Sequence, residues 1–333
     1  MKAVIFPQYG TPADLQFTEV ERPAPRDNEV LVEIHAASVN SWDYELLQGT
    51  PFANRMGFGL FRPTKINSLG CDIAGRVAAI GKRVSKFKPG DEVYGDLSAG
   101  GWGGFAEYVC ADEKMLRLKP ANMSFEQAAA IPQAALLAWQ GLRKGGLRSG
   151  QKVLINGAGG GMGSFAVQIA KASGAEVTGV DSTAKLDSVR MLGAAHVVDY
   201  TREDFTRAGQ RYDLILDAQA YHSLADYRRA LKPGGTYVVA GGSIALIMRL
   251  MLLGPLLSRI SGKRMTVLLH KANEGLADIE TLFAADKVAP IICHRYPLSD
   301  VPQALADFGA GRVIGKAVIT VKESRMPGYA KNR

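Results

Sequence analysis

The stretch from Lys152 to Tyr200 constrains the fold of this chain more than any other. It opens with Val153-Leu154-Ile155, a short apolar run of the kind expected of a buried parallel strand. A glycine cluster, Gly157-Ala158-Gly159-Gly160-Gly161-Met162-Gly163, follows at once. Met162, Phe165, Ala166, Ile169 and Ala170 then share one face of a helix, and Gly174 stands at its C-cap. Glu176 to Val180 reads as the next strand, with Asp181 at its end. Strand, glycine turn, helix, strand and an acid about 20 positions beyond the glycines is the order of a dinucleotide-binding unit.

The chemistry behind that order is anion binding. Glycines let a pyrophosphate approach the main chain without interference from Cβ atoms. Amides at the helix start supply unpaired donors at the positive end of the helix dipole, which makes Gly160, Gly161, Met162 and Gly163 the expected cofactor contacts. The register Ala158, Gly160, Gly163 departs from GxGxxG at its first position. A glycine cluster alone could be a plain loop; the flanking elements are what favour the cofactor. No GxxxxGK[ST] occurs, so a nucleoside-triphosphate loop is not supported. No Tyr is followed by Lys four residues later, and the glycine turn lies mid-chain. Both facts speak against a short-chain dehydrogenase.

What flanks the unit divides the 333 residues into two textures. Residues 1 to about 123 show short strands punctuated by Gly and Pro, at Ala3 to Phe6, Leu15 to Glu21, Glu29 to Ala37, Cys71 to Gly81 and Gly104 to Cys110. Asn40 or Ser41 would cap a short helix running to Gln48, and Thr50 to Ser68 reads as a long loop bordering a substrate site. From Ser124, whose spacing to Gln127 makes a capping box, helix and strand alternate. Strands at Ala195 to Val198, Leu214 to Ala218 and Thr236 to Ala240 continue a doubly wound parallel sheet, with a sharp turn at Lys232 to Gly235. A helix at Glu274 to Ala285 and strands at Ala289 to Cys293 and Lys316 to Val321 return to the first domain.

Charge and cysteine usage exclude other classes. A net charge of +8 raises nucleic acid or anionic membrane as partners. The Lys and Arg residues are scattered, however, apart from a short basic tail at Lys322 to Arg333. A basic protein holding an anionic cofactor accounts for the charge without nucleic acid. Cys71, Cys110 and Cys293 form no CxxC, which argues against a disulfide framework or a structural zinc lobe. The N-terminal apolar run is too short for a signal peptide, so cytoplasmic residence is the expectation.

Taken together, these residues resemble the medium-chain dehydrogenase/reductase superfamily, in its zinc-independent quinone oxidoreductase branch. The marks are Ala37-Ser38-Val39-Asn40-Ser41-Trp42-Asp43, Leu69 to Gly75, Phe87 to Val93, Gly103 to Tyr108, the glycine turn, Gly193 to Tyr200 and Ile314-Gly315-Lys316. The resemblance implies an α/β protein with a GroES-like β-rich catalytic domain (1–123 and 271–333) and a Rossmann domain (124–270), with the active site in the cleft between them. It also implies a homodimer joined edge to edge through Thr266 to His270. Zinc-dependent cousins place cysteine, histidine and cysteine where this chain has Asn40, Cys71 and Gln133, so no metal site is expected. Without a Lewis acid to ionise an alcohol, the reaction expected is hydride transfer from NAD(P)H to a quinone or α,β-unsaturated carbonyl. Asn40 and Asp43 match the branch's N-x-x-D pattern, Asn40 as donor to a carbonyl oxygen gaining charge. The alternative for the pair is a helix cap and a loop brace. Leu47 and Leu137 stand where the branch often has Arg and Thr. The rivals are a zinc-independent or zinc-dependent alcohol oxidoreductase and a non-catalytic dinucleotide-binding scaffold.

Cofactor choice pulls two ways. Asp181 would accept hydrogen bonds from the adenosine ribose, the arrangement that favours NAD(H). Ser182, Thr183 and Lys185 resemble the phosphate-binding turn of NADPH-using quinone reductases, and Tyr200 matches a residue bordering the adenine pocket. Three phosphate-compatible residues against one carboxylate favour NADP(H). Gly241-Gly242-Ser243 resembles the family's contact on the nicotinamide side. The apolar stretch Ser243 to Ser261 is interrupted by Arg249, Gly254, Pro255 and Arg259, too short a run to span a bilayer. It reads as a helix broken at the proline, buried in the core or roofing the cleft, with membrane contact as the disfavoured alternative.

Overall fold

The structure, a computed structural model, describes residues 1–322. The basic tail beyond Lys322 lies outside the described residues. The chain divides into two compact units: Met1–Ala130 with His294–Gly311 and the chain from Ala317, and Ile131–Cys293 with Arg312–Lys316.

The first unit begins with β1 (Lys2–Ile5), β2 (Gln16–Glu19) and β3 (Glu29–Ser38), followed by α1 (Ser41–Gln48) and α2 (Phe52–Phe58). Then come β4 (Asp72–Ile80), β5 (Glu92–Asp96), β6 (Tyr108–Asp112), β7 (Arg117–Leu118) and α3 (Phe125–Ala130). The segment predicted as a loop carries α2. Its seven residues are bounded by Pro51 and by Gly59 at φ +135°, and Asn54 Nδ2 donates back to the Thr50 carbonyl at 2.8 Å. So short a helix between two breakers leaves no periodicity to read. The predicted capping box at Ser124 forms in both directions, Ser124 N to Gln127 Oε1 at 3.0 Å and Gln127 N to Ser124 Oγ at 3.1 Å.

The second unit runs α4 (Pro132–Gly145), β8 (Lys152–Asn156), α5 (Gly161–Ala172), β9 (Glu176–Asp181), α6 (Leu186–Met191), β10 (His196–Asp199), β11 (Tyr212–Asp217) and α7 (Leu224–Ala230). It continues with β12 (Leu231–Val239), α8 (Ile244–Ser261), β13 (Arg264–Val267) and α9 (Leu276–Ala284). The chain closes through β14 (Ile292–Pro297), α10 (Val301–Gly309) and β15 (Lys316–Thr320). The strand predicted at Ala289 to Cys293 thus starts three residues later.

Two sheets organise these elements. Six parallel strands lie in the order β10-β9-β8-β11-β12-β13, and Val153, Leu154 and Ile155 of β8 have no exposed surface, as a strand covered on both faces requires. The other sheet runs β14-β15-β3-β4-β5-β7, with β6 beside β3. The Lys232 to Gly235 turn falls within β12. Tyr212 pairs Leu231 but Leu214 pairs Thr236, so the extra residues bulge out of the ladder.

The units part at other places than the sequence suggests. α3 packs on β3 and β4, which carries the first unit to Ala130 rather than residue 123. Gln140 Nε2 donates to the carbonyls of Lys271 and Glu274 at 2.8 and 2.9 Å, and Gln168 Nε2 to that of Ala289 at 2.9 Å. These bonds keep the chain in the second unit to Cys293 rather than residue 270.

Helix α8 corrects the expectation of a buried, broken helix. It is continuous, with Pro255 inside it. Leu246 and Leu250 enter the core with Tyr227 and Tyr237, while Met248 and Leu252 are 52% and 76% exposed. Among the described residues no helix is long and apolar enough to cross a membrane.

Candidate functional site

Local geometry at the glycine turn follows from three close approaches. Gly157, at φ +84°, sends its N–H to the Val180 carbonyl at 2.9 Å, and Ala158 does the same at 3.0 Å. A Cβ on Gly163 would lie 2.0 Å from the Gly157 carbonyl oxygen, so only glycine lets α5 start this close to the turn. Gly160 caps α5 in extended conformation. The α5 N-terminus, Gly161 to Gly163, therefore lies against the turn, and its first amides have no intrahelical acceptor. Gly315 N donates to the Gly159 carbonyl at 2.8 Å, which brings the returning Ile314-Gly315-Lys316 segment against the turn.

At the end of β9 the structure separates the residues proposed to choose the cofactor. Asp181 is 7% exposed. Its Oδ2 accepts from Gly159 N at 2.7 Å and its Oδ1 from Ser182 N at 2.8 Å. The carboxylate braces the turn. Thr183 is likewise committed, its hydroxyl donating to Asp199 Oδ2. Asp199 also accepts from Thr201 N and Oγ1 at 3.0 and 2.7 Å; these donors, the Thr183 hydroxyl foremost, hold its carboxyl below the usual range. Lys185 lies over the turn, since a Cβ on Gly159 would come within 2.8 Å of its own Cβ. Tyr200 is half exposed, its ring 6.2 Å from that of Tyr221.

On the other side of the sheet centre, Gly242 at φ +96° closes on the loop after β11, where a Cβ would meet the Gln219 carbonyl at 1.9 Å. Ser243 caps α8 by accepting from Leu246 N at 3.4 Å. Gly241 to Ser243 thus lie beside Gln219 and Ala220, at the carboxyl end of the parallel strands, where ligands of such sheets bind.

In the first unit, Asn40 and Asp43 come together with partners the sequence separates. Asn40 is 5% exposed, and its Nδ2 donates to Asp72 Oδ2 at 3.0 Å and Cys71 Sγ at 3.4 Å. Both amide hydrogens are engaged there, while Asn40 also stands at the N-cap of α1 in a capping box with Asp43. Asp43 has no exposed surface; it accepts from Asn40 N and Gly70 N, each at 2.8 Å. Asp43 has the geometry of a brace. Antiparallel pairing of β4 with β5 sets Asp96 opposite Asp72, and the ligand atoms of Cys71, Asp72 and Asp96 lie within 4.8 Å of one another. Asp96 is the partner that sequence reasoning missed, since only the strand register reveals it. As a zinc set the group fits poorly. The Asn40 amide aims N–H bonds at two of its three donors, and Asp96 Oδ1 accepts from Ser98 N at 2.8 Å.

Comparison with known proteins shows what the chain is similar to. Residues 26–121 match the family described as alcohol dehydrogenase GroES-like domain, and residues 192–319 the family described as zinc-binding dehydrogenase. The chain is 32% identical to the 2-methylene-furan-3-one reductase of Solanum lycopersicum over 96% of its length and 79% of that protein's. It is 30% identical to the chloroplastic NADPH-dependent alkenal/one oxidoreductase of Arabidopsis thaliana, with the same coverage of 96% and 79%. The solved quinone oxidoreductase of Coxiella burnetii superposes with a TM-score of 0.86 at 31% identity, covering 97% of this chain and 99% of that one.

Proposed function

The chain belongs to the medium-chain dehydrogenase/reductase superfamily, in its quinone oxidoreductase branch, and from that premise we propose that it reduces quinones or α,β-unsaturated carbonyls with NADPH and without a metal ion. The observation that carries the metal-free part is the Asn40 amide, whose N–H bonds meet Cys71 Sγ and Asp72 Oδ2. A bound nicotinamide supplies the hydride. Conjugated acceptors spread the incoming charge themselves, so a Lewis acid is not required for this reaction class. Asn40 and Asp43 act here as positioning residues that hold the start of β4. The Gly160 to Gly163 segment holds the pyrophosphate, and a second copy of the chain joins through β13, one of the two edge strands of the parallel sheet.

The test is oxidation of NADPH by menadione and by cyclohexenone, using protein dialysed against a chelator. Turnover retained after dialysis is the expected result. Stoichiometric zinc lost together with activity would favour the alternative, an alcohol dehydrogenase using Cys71, Asp72 and Asp96.

Cofactor preference follows from the β9 end. Asp181 is turned onto Gly159 and Ser182, so its carboxylate is less available to a ribose, whereas Lys185 forms no ion pair among the described residues. A charge-assisted hydrogen bond is worth about 1.5 kcal/mol or more. Lys185→Ala is therefore expected to lower kcat/KM for NADPH about tenfold and to leave NADH use unchanged. An unchanged NADPH efficiency in Lys185→Ala, with NADH use abolished in Asp181→Ala, would assign the enzyme to NADH.

A further inference from the structure

Helix α1 carries one group that the function above leaves unused. Glu45 is half-buried and opens onto a pocket of about 170 Å³ walled by Trp42, Leu46, Asn54, Phe58, Ser98 and Trp102. The Phe58 and Trp102 rings meet edge to face, their centroids 6.5 Å apart. Trp102 is held at φ +65°, unusual for a bulky residue, and is only 5% exposed. The space is below the roughly 300 Å³ at which drug-sized sites begin, so it suits one small ring.

Among the described residues, no other charged side chain lines this pocket. Arg55, the basic residue of α2, is drawn away: its guanidinium lies 4.7 Å from the Tyr9 ring centroid and bonds the carbonyls of Gly49 and Gln48 at 3.1 and 3.3 Å. On α1 itself Asp43 is taken by Asn40 and Gly70. On α10, which packs against α1, Asp307 accepts from Tyr296 Oη at 2.6 Å and from Gln303 Nε2 at 2.9 Å. At the end of β5, Asp96 accepts from Ser98 N. Burial alone pushes the Glu45 carboxyl up to about 7. An acid with a pKa near the working pH is suited to proton transfer.

We propose that this pocket seats a small cyclic enone and that Glu45 is the acid that protonates its α-carbon. The inference rests on the enone-reductase reading above. The substrate β-carbon gains a C–H bond from a hydride, both electrons coming from the nicotinamide C–H bond that breaks. The C=C electron pair becomes that of an enolate. The Glu45 O–H bond then breaks, and its proton forms the new C–H bond at the α-carbon. Saturated ketone and oxidised nicotinamide result, and the Glu45 carboxylate recovers a proton from solvent. Quinones differ, because their reduced form takes its protons on oxygen directly from water.

That difference gives the experiment an internal control. Glu45→Gln keeps the shape and removes the proton. It is expected to lower kcat for cyclohexenone by about 10²–10³-fold and to change menadione turnover by less than threefold. In the wild type, kcat/KM for cyclohexenone falls as pH rises through 7, because the acid form is lost; in Glu45→Gln that limb disappears. Ser98→Leu, which narrows the pocket from another element, raises KM for cyclohexenone at least tenfold. A third arm needs no turnover. Calorimetry with cyclohexanone, an unreactive ring ketone, on cofactor-free protein should show affinity falling above pH 7 in the wild type and constant affinity in Glu45→Gln. Equal losses for both acceptors, or a pH limb or binding dependence that survives in Glu45→Gln, overturns the proposal. If the wild type oxidises NADPH with neither acceptor, the reductase reading fails instead, and the cyclohexanone arm alone decides whether the pocket and its acid bind a ring ketone.

Discussion

Asp217→Ala is expected to destabilise the protein by roughly 3–5 kcal/mol, a large share of the 5–15 kcal/mol typical of a folded protein. Asp217 ends β11 with no exposed surface. Its Oδ1 accepts from Asn156 Nδ2 at 2.8 Å and from Gln219 N and Ala220 N, both at 2.9 Å. Its Oδ2 accepts from Tyr237 Oη at 2.9 Å, and the Tyr237 ring stacks on Tyr227 at 4.3 Å. Burial and the neighbouring carboxylate push both phenols well above their ordinary range, so they remain hydrogen-bond donors at any working pH. Truncation strands four donors at once, those of Asn156, Ala220 and Tyr237 on buried residues, and each buried unsatisfied group costs about 1–3 kcal/mol before relaxation. Asp217→Asn retains an oxygen for the backbone amides and should cost much less. Urea unfolding followed by far-UV circular dichroism separates the two variants. Equal, small losses in both would show that the network is not what holds the ends of β8, β11 and β12 together.

How far the sequence reveals this site depends on whether each contact is local. The glycine turn, its helix and Asp181 lie within one continuous stretch, so spacing alone places the turn directly before α5. The direction of the Asp181 side chain was not legible, because it depends on where the Gly159 amide points once Gly157 has turned. Asn40 was legible as a feature of the chain, yet its engagement with Cys71 and Asp72 requires β3 and β4 to be paired. Asp96 joins them only through the β4–β5 register. Glu45 carries no sequence signal. Its neighbours Phe58, Ser98 and Trp102 come from α2 and from the loop after β5, and the burial that perturbs it exists only once they converge. The bulge at Lys232 to Gly235 misled for a related reason: turn-forming residues cannot say whether a strand ends or merely loops out and resumes.

Gly163→Ala is expected to abolish measurable NADPH binding, a loss of at least about a hundredfold, and to destabilise the second unit. A single methyl group has this effect because of what it meets. Its Cβ would lie 2.0 Å from the Gly157 carbonyl oxygen and 2.6 Å from Ala158 Cα. Both are backbone atoms of the turn itself, so relief requires α5 to slide outward along its axis. That shift carries the α5 amides away from the place where a pyrophosphate would accept from them. It also breaks the fit between α5 and β8, and overpacking of this kind typically costs about 1–3 kcal/mol. Gly161→Ala provides the contrast in stability. There the nearest atom is Lys316 Cδ at 3.2 Å, a side-chain atom that need give only a few tenths of an ångström, and no backbone atom of the turn is displaced. Its unfolding midpoint should stay close to that of the wild type. Calorimetric titration with NADPH supplies the decisive comparison for Gly163→Ala. Wild-type affinity in that variant would mean that the turn tolerates a wider separation from α5, and that the cofactor's phosphates are held elsewhere than at the amides of Gly161 to Gly163.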